Sequence, residues 1–432
     1  MAATLRERFE IPKKYNTWSI ALMAVGLISI ILLYITTRGT TPTPEDLKHT
    51  GLADADAYNA HRDARFWASL LQNSVYFLLV VNAAMFFICA TTLAWGGWQV
   101  SFRRVTEAIS ACVPVLGVIS LVILMVLVWG PNHTLYHWAD THHVHEDPIL
   151  EHKSGFLNRG FFTVWTIITV IGWWLLGKKM RSMSLELDNK KPTVEEGKRY
   201  IWKNTVWAAL YIVFFALTVM SSIPWLWLMS IDAHWYSTMY SWYTFASSFV
   251  AAMALITLFV VFLKNLGYLE LTNREHLHDL GKFQFAFSIF WTYLWYSQFM
   301  LIWYANIPEE TIYFAKRIGG GDFDGAYKAI FFLNLIINFL APLLILMKRG
   351  SKRNYGTITM MSVLIIFGHW LDFYQMVMPA VSTYKVPNML YDFGIGLGFV
   401  GLIMFVTVRW LAKHPLIAKN HPFLKESIIH HA

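Results

Sequence analysis

The sequence predicts an all-α, polytopic membrane protein with ten transmembrane helices, and three observations carry that prediction. Of 432 residues, 56% are hydrophobic and only 14% are charged, too little polar surface for a soluble enzyme. The apolar residues gather into ten runs near twenty residues, the length at which a helix crosses a ~30 Å hydrocarbon layer. With the N-terminus inside, lysine and arginine divide 25 to 10 between inner and outer segments, which places both termini in the cytoplasm. The net charge of +8 is therefore a topology signal and gives no reason to expect nucleic acid as a partner.

The spans run 18–37, 70–95, 109–129, 161–176, 204–229, 241–263, 283–304, 327–347, 357–378 and 390–411, followed by a tail over 412–432. The first follows Arg6, Arg8, Lys13 and Lys14, but no small-x-small cleavage site succeeds it, so it reads as a retained helix. The fourth is the shortest. Cys89 and Cys112 each sit within an apolar span and read as small core residues; two cysteines cannot build a four-cysteine iron-sulfur site.

The basic loop 177–203 reads as an orientation signal near anionic lipid. Gly319, Gly320 and Gly321 follow no strand and precede no lysine with serine or threonine, so they do not form a phosphate loop. Gly394, Gly396, Gly398 and Gly401 spell a formal GxGxxG, but inside an apolar twenty-mer. With Gly394 and Gly398 on one face, they predict close helix packing.

The most informative stretch is FGHWLDFYQMVMP, 367–379, the outer half of the ninth span. It sets His369, Asp372 and Gln375 at i, i+3 and i+6, along one side of the helix. His369 lies some twelve residues from the inner end, about 18 Å, and so past the middle of the hydrocarbon. An aspartate in a bilayer costs roughly 2.5 to 3.5 kcal/mol on the insertion scale and normally faces a bundle interior or a water-filled cavity. Two readings are open: a structural pair that braces the helices, or a site that handles protons or faces a quinone.

The outer rim also receives Asn132, His133 and His137, then Asp232 and His234, then Tyr304 and Asn306. The loop over 130–160 carries His133, His137, His142, His143, His145 and His152 beside Asp140, Glu146, Asp147 and Glu151. It has no HExxH and no cysteine partner, so it reads as a solvated cap, a docking face or a proton entry, with no metal assigned. The proton-relay candidates are His369, Asp372, Asp232, His234, His137 and Asp140.

Only His369 is clearly inside a span, so a bis-histidine haem is not expected, and electrons must come and go through other subunits. A diffusible quinone needs no ligand motif, only an apolar cavity with a few donors and acceptors. The seventh span offers Trp291, Tyr293, Trp295, Tyr296, Gln298, Trp303 and Tyr304, residues that equally suit a core or an interface belt. The quinone-contact candidates are Tyr296, Gln298, Tyr304 and Gln375.

Three segments carry a family resemblance: DPILEHKSGFLNRGFF at 147–162, SIPWLWLMSIDAHWYSTMYSWY at 222–243, and FGHWLDFYQ. With the ten spans they resemble the NrfD (polysulfide reductase) type of integral membrane subunit, over nearly the whole chain. Within that family the similarity is to the second of the two such subunits of bacterial alternative complex III, a quinol:cytochrome c oxidoreductase. The resemblance implies two four-helix bundles, spans two to five (70–229) and six to nine (241–378), flanked by one helix at each end.

It also implies that Asp232 and His234 are rough counterparts of His369 and Asp372, though Ala233 stands where relatives often have proline. The implied partners are a sister membrane subunit, a periplasmic iron-sulfur protein and a c-type cytochrome. In such a complex, in the bacterial inner membrane, electrons pass from quinol to a cytochrome c or an oxidase, and the quinol site belongs to the sister subunit.

Overall fold

The computed structural model describes residues 8–38, 55–130, 135–189 and 191–431. Arg6, Asn132, His133 and Lys190 lie outside the described residues, as do the side chains of His142 and His143. The described chain is helical, with a single Gly320–Phe323 bridge in place of any strand.

The long helices are α1 (Lys13–Arg38), α2 (Ala55–Leu93), α3 (Val113–Trp129), α4 (Arg159–Glu186) and α5 (Val194–Leu217). They continue with α6 (Met239–Asn265), α7 (Arg274–Ala305), α8 (Lys328–Leu346), α9 (Tyr355–Val381) and α10 (Met389–Lys413). Among the described residues nine helices are long and apolar enough to cross a membrane, which establishes an all-α polytopic protein. The exception is α7, 32 residues long, whose C-terminal half spends its positions on Trp, Tyr and Gln in place of aliphatic side chains.

The starts are set by polar caps. Asn158 accepts from the Phe161 N–H at 2.8 Å and Asn354 from the Thr357 N–H at 3.0 Å; Thr193 and Glu196 close a capping box. These side chains satisfy backbone donors that the first helical turn leaves open.

Several helices depart from their predicted runs. α2 begins at Ala55 and not near 70, and the turns just ahead of residue 70 are buried: Arg62, Asp63 and Arg65 are at most 9% exposed, and Arg65 donates to Asp392 of α10, Nη1 to Oδ1 at 2.9 Å. α4 continues to Glu186 because the chain beyond 176 stays helical, with Arg181 buried and donating to Ser110 Oγ at 3.0 Å. The predicted fifth span divides at a π-helical turn, Thr218–Ser222, before the short helix Ile223–Trp227. Pro224 supplies no N–H there, and the Ser221 and Ser222 hydroxyls bond back to the Leu217 carbonyl at 2.6 and 2.7 Å.

α2 packs on α3 and α5, and α4 joins α3 to α5. α6 packs on α7 and α9, and α8 fits between those two. α2 and α6 meet in the middle and are the most deeply buried helices. α1 stands outside, against α10: a Cβ on Gly26 would lie 2.4 Å from the Gly398 Cα, and one on Gly401 2.7 Å from the Ser19 carbonyl oxygen. The glycine face expected in the last span is therefore a helix–helix contact.

Candidate functional site

Asp372 and His369 lie on α9 with no exposed surface, facing α6, α7 and α8. Asp372 Oδ1 accepts from the Tyr243 hydroxyl of α6 and from Asn334 Nδ2 of α8, the latter at 2.8 Å. Its Oδ2 accepts from Trp291 Nε1 of α7 at 2.8 Å, so one carboxyl group ties four helices together.

His369 Nδ1 stands 4.0 Å from Asp372 Oδ2, too far for a hydrogen bond, and meets Ser247 Oγ at 3.0 Å instead. Its Nε2 has no hydrogen-bond partner among the described residues. On α8, Asn338 donates to Asn334 Oδ1 at 2.6 Å, one helical turn away. Asn338 reaches this place because residue 368 is glycine: a Cβ there would lie 2.2 Å from Asn338 Oδ1.

The ladder of α9 breaks where Pro379 has no N–H to give to the Gln375 carbonyl. Arg317, from the short helix Pro308–Ile318, takes up that oxygen through Nε at 3.1 Å and Nη2 at 2.6 Å. Its guanidinium lies 3.4 Å from the centre of the Tyr313 ring. Beside it is a small cavity of about 10 Å³, lined in part by Tyr243, Gln298, Tyr313, Arg317 and Gln375. Gln298 Oε1 and Gln375 Nε2 have no partner among the described residues. The space suits about one water molecule.

The rim residues form a separate group. Lys316 Nζ donates to Asp232 Oδ2 at 2.6 Å, Lys153 Nζ to the Ala233 carbonyl at 2.6 Å, and His234 Nε2 meets Asp147 Oδ2 at 2.5 Å. That hydrogen bond from His234 holds the Asp147 carboxyl below its ordinary range, and the carboxylate also caps the turn at Ile149 and Leu150. His137 stands exposed on the turn His137–Ala139, with Asp140 following it.

The structure therefore brings His369, Asp372, Gln298 and Gln375 to one neighbourhood and sets Asp232, His234, His137 and Asp140 at the rim. Tyr296 and Tyr304 belong to neither: they are 53% and 81% exposed on the outward face of α7. The residues that complete the cluster, Tyr243, Asn334, Asn338 and Arg317, were not singled out from sequence. Two asparagines one turn apart within an apolar run were the available signal; Arg317, in a predicted loop, gave none.

No described group of three His, Cys, Asp or Glu residues is gathered closely enough to hold a metal ion. Chemically, the cluster offers a carboxyl, a phenol, an imidazole and a serine hydroxyl within a buried helix junction, next to a cavity of one-water size. Those are the parts of a short proton-exchange chain and equally of a polar clasp.

Fold and site together define an all-α polytopic membrane protein with an ionisable group buried at a four-helix junction. Comparison with protein-family models and with curated proteins finds no match.

Proposed function

We propose that this chain is a membrane subunit of a respiratory quinol:cytochrome c oxidoreductase, or of a complex serving another electron acceptor, and that it anchors the assembly and moves protons in the outer half of the bilayer. In this reading ten helices span the inner membrane of a bacterium with both termini cytoplasmic, α2–α5 and α6–α9 forming two four-helix bundles flanked by α1 and α10. Redox centres reside in partners: an iron-sulfur protein and a c-type cytochrome on the periplasmic side, next to a sister membrane subunit.

The observation that carries the reading is the Asp372 cluster, where an ionisable side chain with no exposed surface sits beside Tyr243 and a small polar cavity at Gln298 and Gln375. Quinone contact, in this reading, falls to the lipid-facing side of α7, where Tyr296 and Tyr304 stand, because the inner cavity has room for about one water only. The test is purification in mild detergent with identification of what copurifies. Haem-bearing and iron-sulfur partners are expected; a chain that purifies alone and transports a solute in vesicles would replace this reading with a secondary transporter.

A further inference from the structure

Where α4 ends and α5 begins, an open hollow of about 450 Å³ is lined by Arg199, Trp202, Lys203, Val206 and Trp207 of α5. Lys179 of α4 stands beside it, its Nζ 5.7 Å from the centre of the Trp207 ring. The two helices pack antiparallel here. A Cβ on Gly172 of α4 would meet the Phe214 ring of α5 at 2.5 Å, and about two turns further along α4, Lys179 faces Trp207, about two turns back along α5. Arg199, Lys203 and Trp207 follow one another at i, i+4 and i+8, so they lie along one side of α5.

Three cations therefore share one hollow, and the side chains of Lys179, Arg199 and Lys203 form no hydrogen bond or ion pair among the described residues. The carboxylates of the first turn of α5 are already engaged: Glu195 with Lys198 at 2.9 Å, and Glu196 with the Thr193 N–H at 2.9 Å. Other cations at this end of the molecule are held. Lys282 bonds to Asp279 at 2.7 Å, Lys264 to the Thr272 carbonyl at 2.6 Å, Lys352 to the Leu346 carbonyl at 2.5 Å, and Arg353 to Glu275.

The surroundings decide which anion fits. The apolar run of α4 closes just before Lys178 and that of α5 opens just after Lys203, so the hollow lies where hydrocarbon gives way to lipid head groups. From there the exposed face of α5 continues as Val206, Leu210, Val213 and Leu217, beside Ile168, Ile171 and Leu175 of α4. A ligand with an anionic head and hydrocarbon tails would use both parts, whereas a soluble anion would leave Trp202 and Trp207 uncovered. A phosphodiester carries one negative charge, so a head with one phosphate leaves two of the three cations unmatched. Arg199 and Lys203, about 6 Å apart along the helix axis, are spaced to take one phosphate each.

We propose that this hollow is a binding site for a phospholipid whose head group carries two phosphates, of the diphosphatidylglycerol kind. Arg199 and Lys203 each hold one phosphate, Lys179 closes the site from α4, and the acyl chains lie along the aliphatic rows of α4 and α5. The inference stands independently of the respiratory reading. It is tested on the intact protein, purified in detergent with whatever partners it holds and washed free of lipid. Diphosphatidylglycerol is titrated into the micelles and its affinity read from the rise in melting temperature; phosphatidylglycerol at twice the molar amount supplies the same charge.

The rise should saturate at a concentration of the two-phosphate lipid roughly tenfold below that needed of phosphatidylglycerol. Arg199→Gln and Lys203→Gln should each weaken its binding about fivefold, while Lys348→Gln, the same loss of charge at the same end of the molecule but outside the hollow, should leave it unchanged. All three side chains are exposed, so the melting temperature without added lipid should stay where it is in each variant. An equal response to the two lipids at matched charge overturns the proposal, leaving only a basic surface. Equal weakening by Lys203→Gln and Lys348→Gln overturns it as well.

Discussion

Replacing Asp372 by asparagine leaves a side chain of the same outline between Tyr243, Trp291 and Asn334, yet the new amide nitrogen must face one of three donors. A mismatch of that kind costs about 1–3 kcal/mol, a loss that an assembled complex survives. The expected outcome for Asp372→Asn is an intact complex that moves fewer protons per electron in reconstituted vesicles. An unchanged ratio in a correctly assembled complex would leave Asp372 as a brace and nothing more. A second residue makes a purely structural test. Gly368→Ala drives a methyl group against Asn338 Oδ1 and should lower stability by about 1–3 kcal/mol, read as a fall in melting temperature in detergent. Adding Asn338→Ala removes the nearer obstruction, leaving Ile337 Cγ2 at 2.5 Å, and should restore part of the loss, which a general helix defect would not allow. At this scale the sequence was half informative. His369, Asp372 and Gln375 stood out because polar residues are rare in apolar runs, while Tyr243 did not and Trp291 was one of several aromatics with no role assigned, since an aromatic residue at helical spacing packs a core as readily as it donates a hydrogen bond.

Among the elements, α1 and α10 were readable and the C-terminal tail was not. Glycines four apart in an apolar helix have one common use, and the contact of Gly26 with Gly398 is that use. Gly398→Leu should therefore pry α1 away, which a cysteine pair placed on the two helices would report as lost disulfide formation. The tail has no apolar run to announce it, yet Leu416, Ile417 and Ala418 are buried, the Ser427 hydroxyl donates to the Trp98 carbonyl at 2.6 Å, and His430 meets Asp279 at 2.6 Å. Its docking should depend on pH through His421. Burial and two arginines lower the folded-state pKa of that imidazole below its ordinary value of 6.5, so the undocked tail binds more protons than the docked one as the pH falls. Docking is then complete above about pH 6.5 and weakens progressively below it. Hydrogen exchange over 414–431 at pH 7.5 and 5.5 measures this, and His421→Leu should flatten the difference.

For the molecule as a whole, apolar run length found every long helix but not where each one stops. Helices continue past their apolar runs where buried partners hold the extra turns, as Arg65 with Asp392 does for α2. The charge division makes a sidedness prediction. Lys198, 69% exposed on one end of the molecule, should react with an impermeant amine reagent only from the cytoplasm, and a cysteine from His143→Cys only from the periplasm. Modification of both from the same side would undo the ten-span arrangement.

The pairing of α1 with α10 also bears on how the chain is made. α1 ends at Arg38 and its partner begins at Met389, 351 residues later. At roughly 5–20 residues per second, α1 waits on the order of 20 to 70 seconds before its companion exists. During that interval the face around Gly26 lacks the helix it packs on and is open to lipid or an insertion factor. A nascent chain arrested before Met389 should show α1 cross-linking to such a factor, and release of that contact should coincide with synthesis of α10.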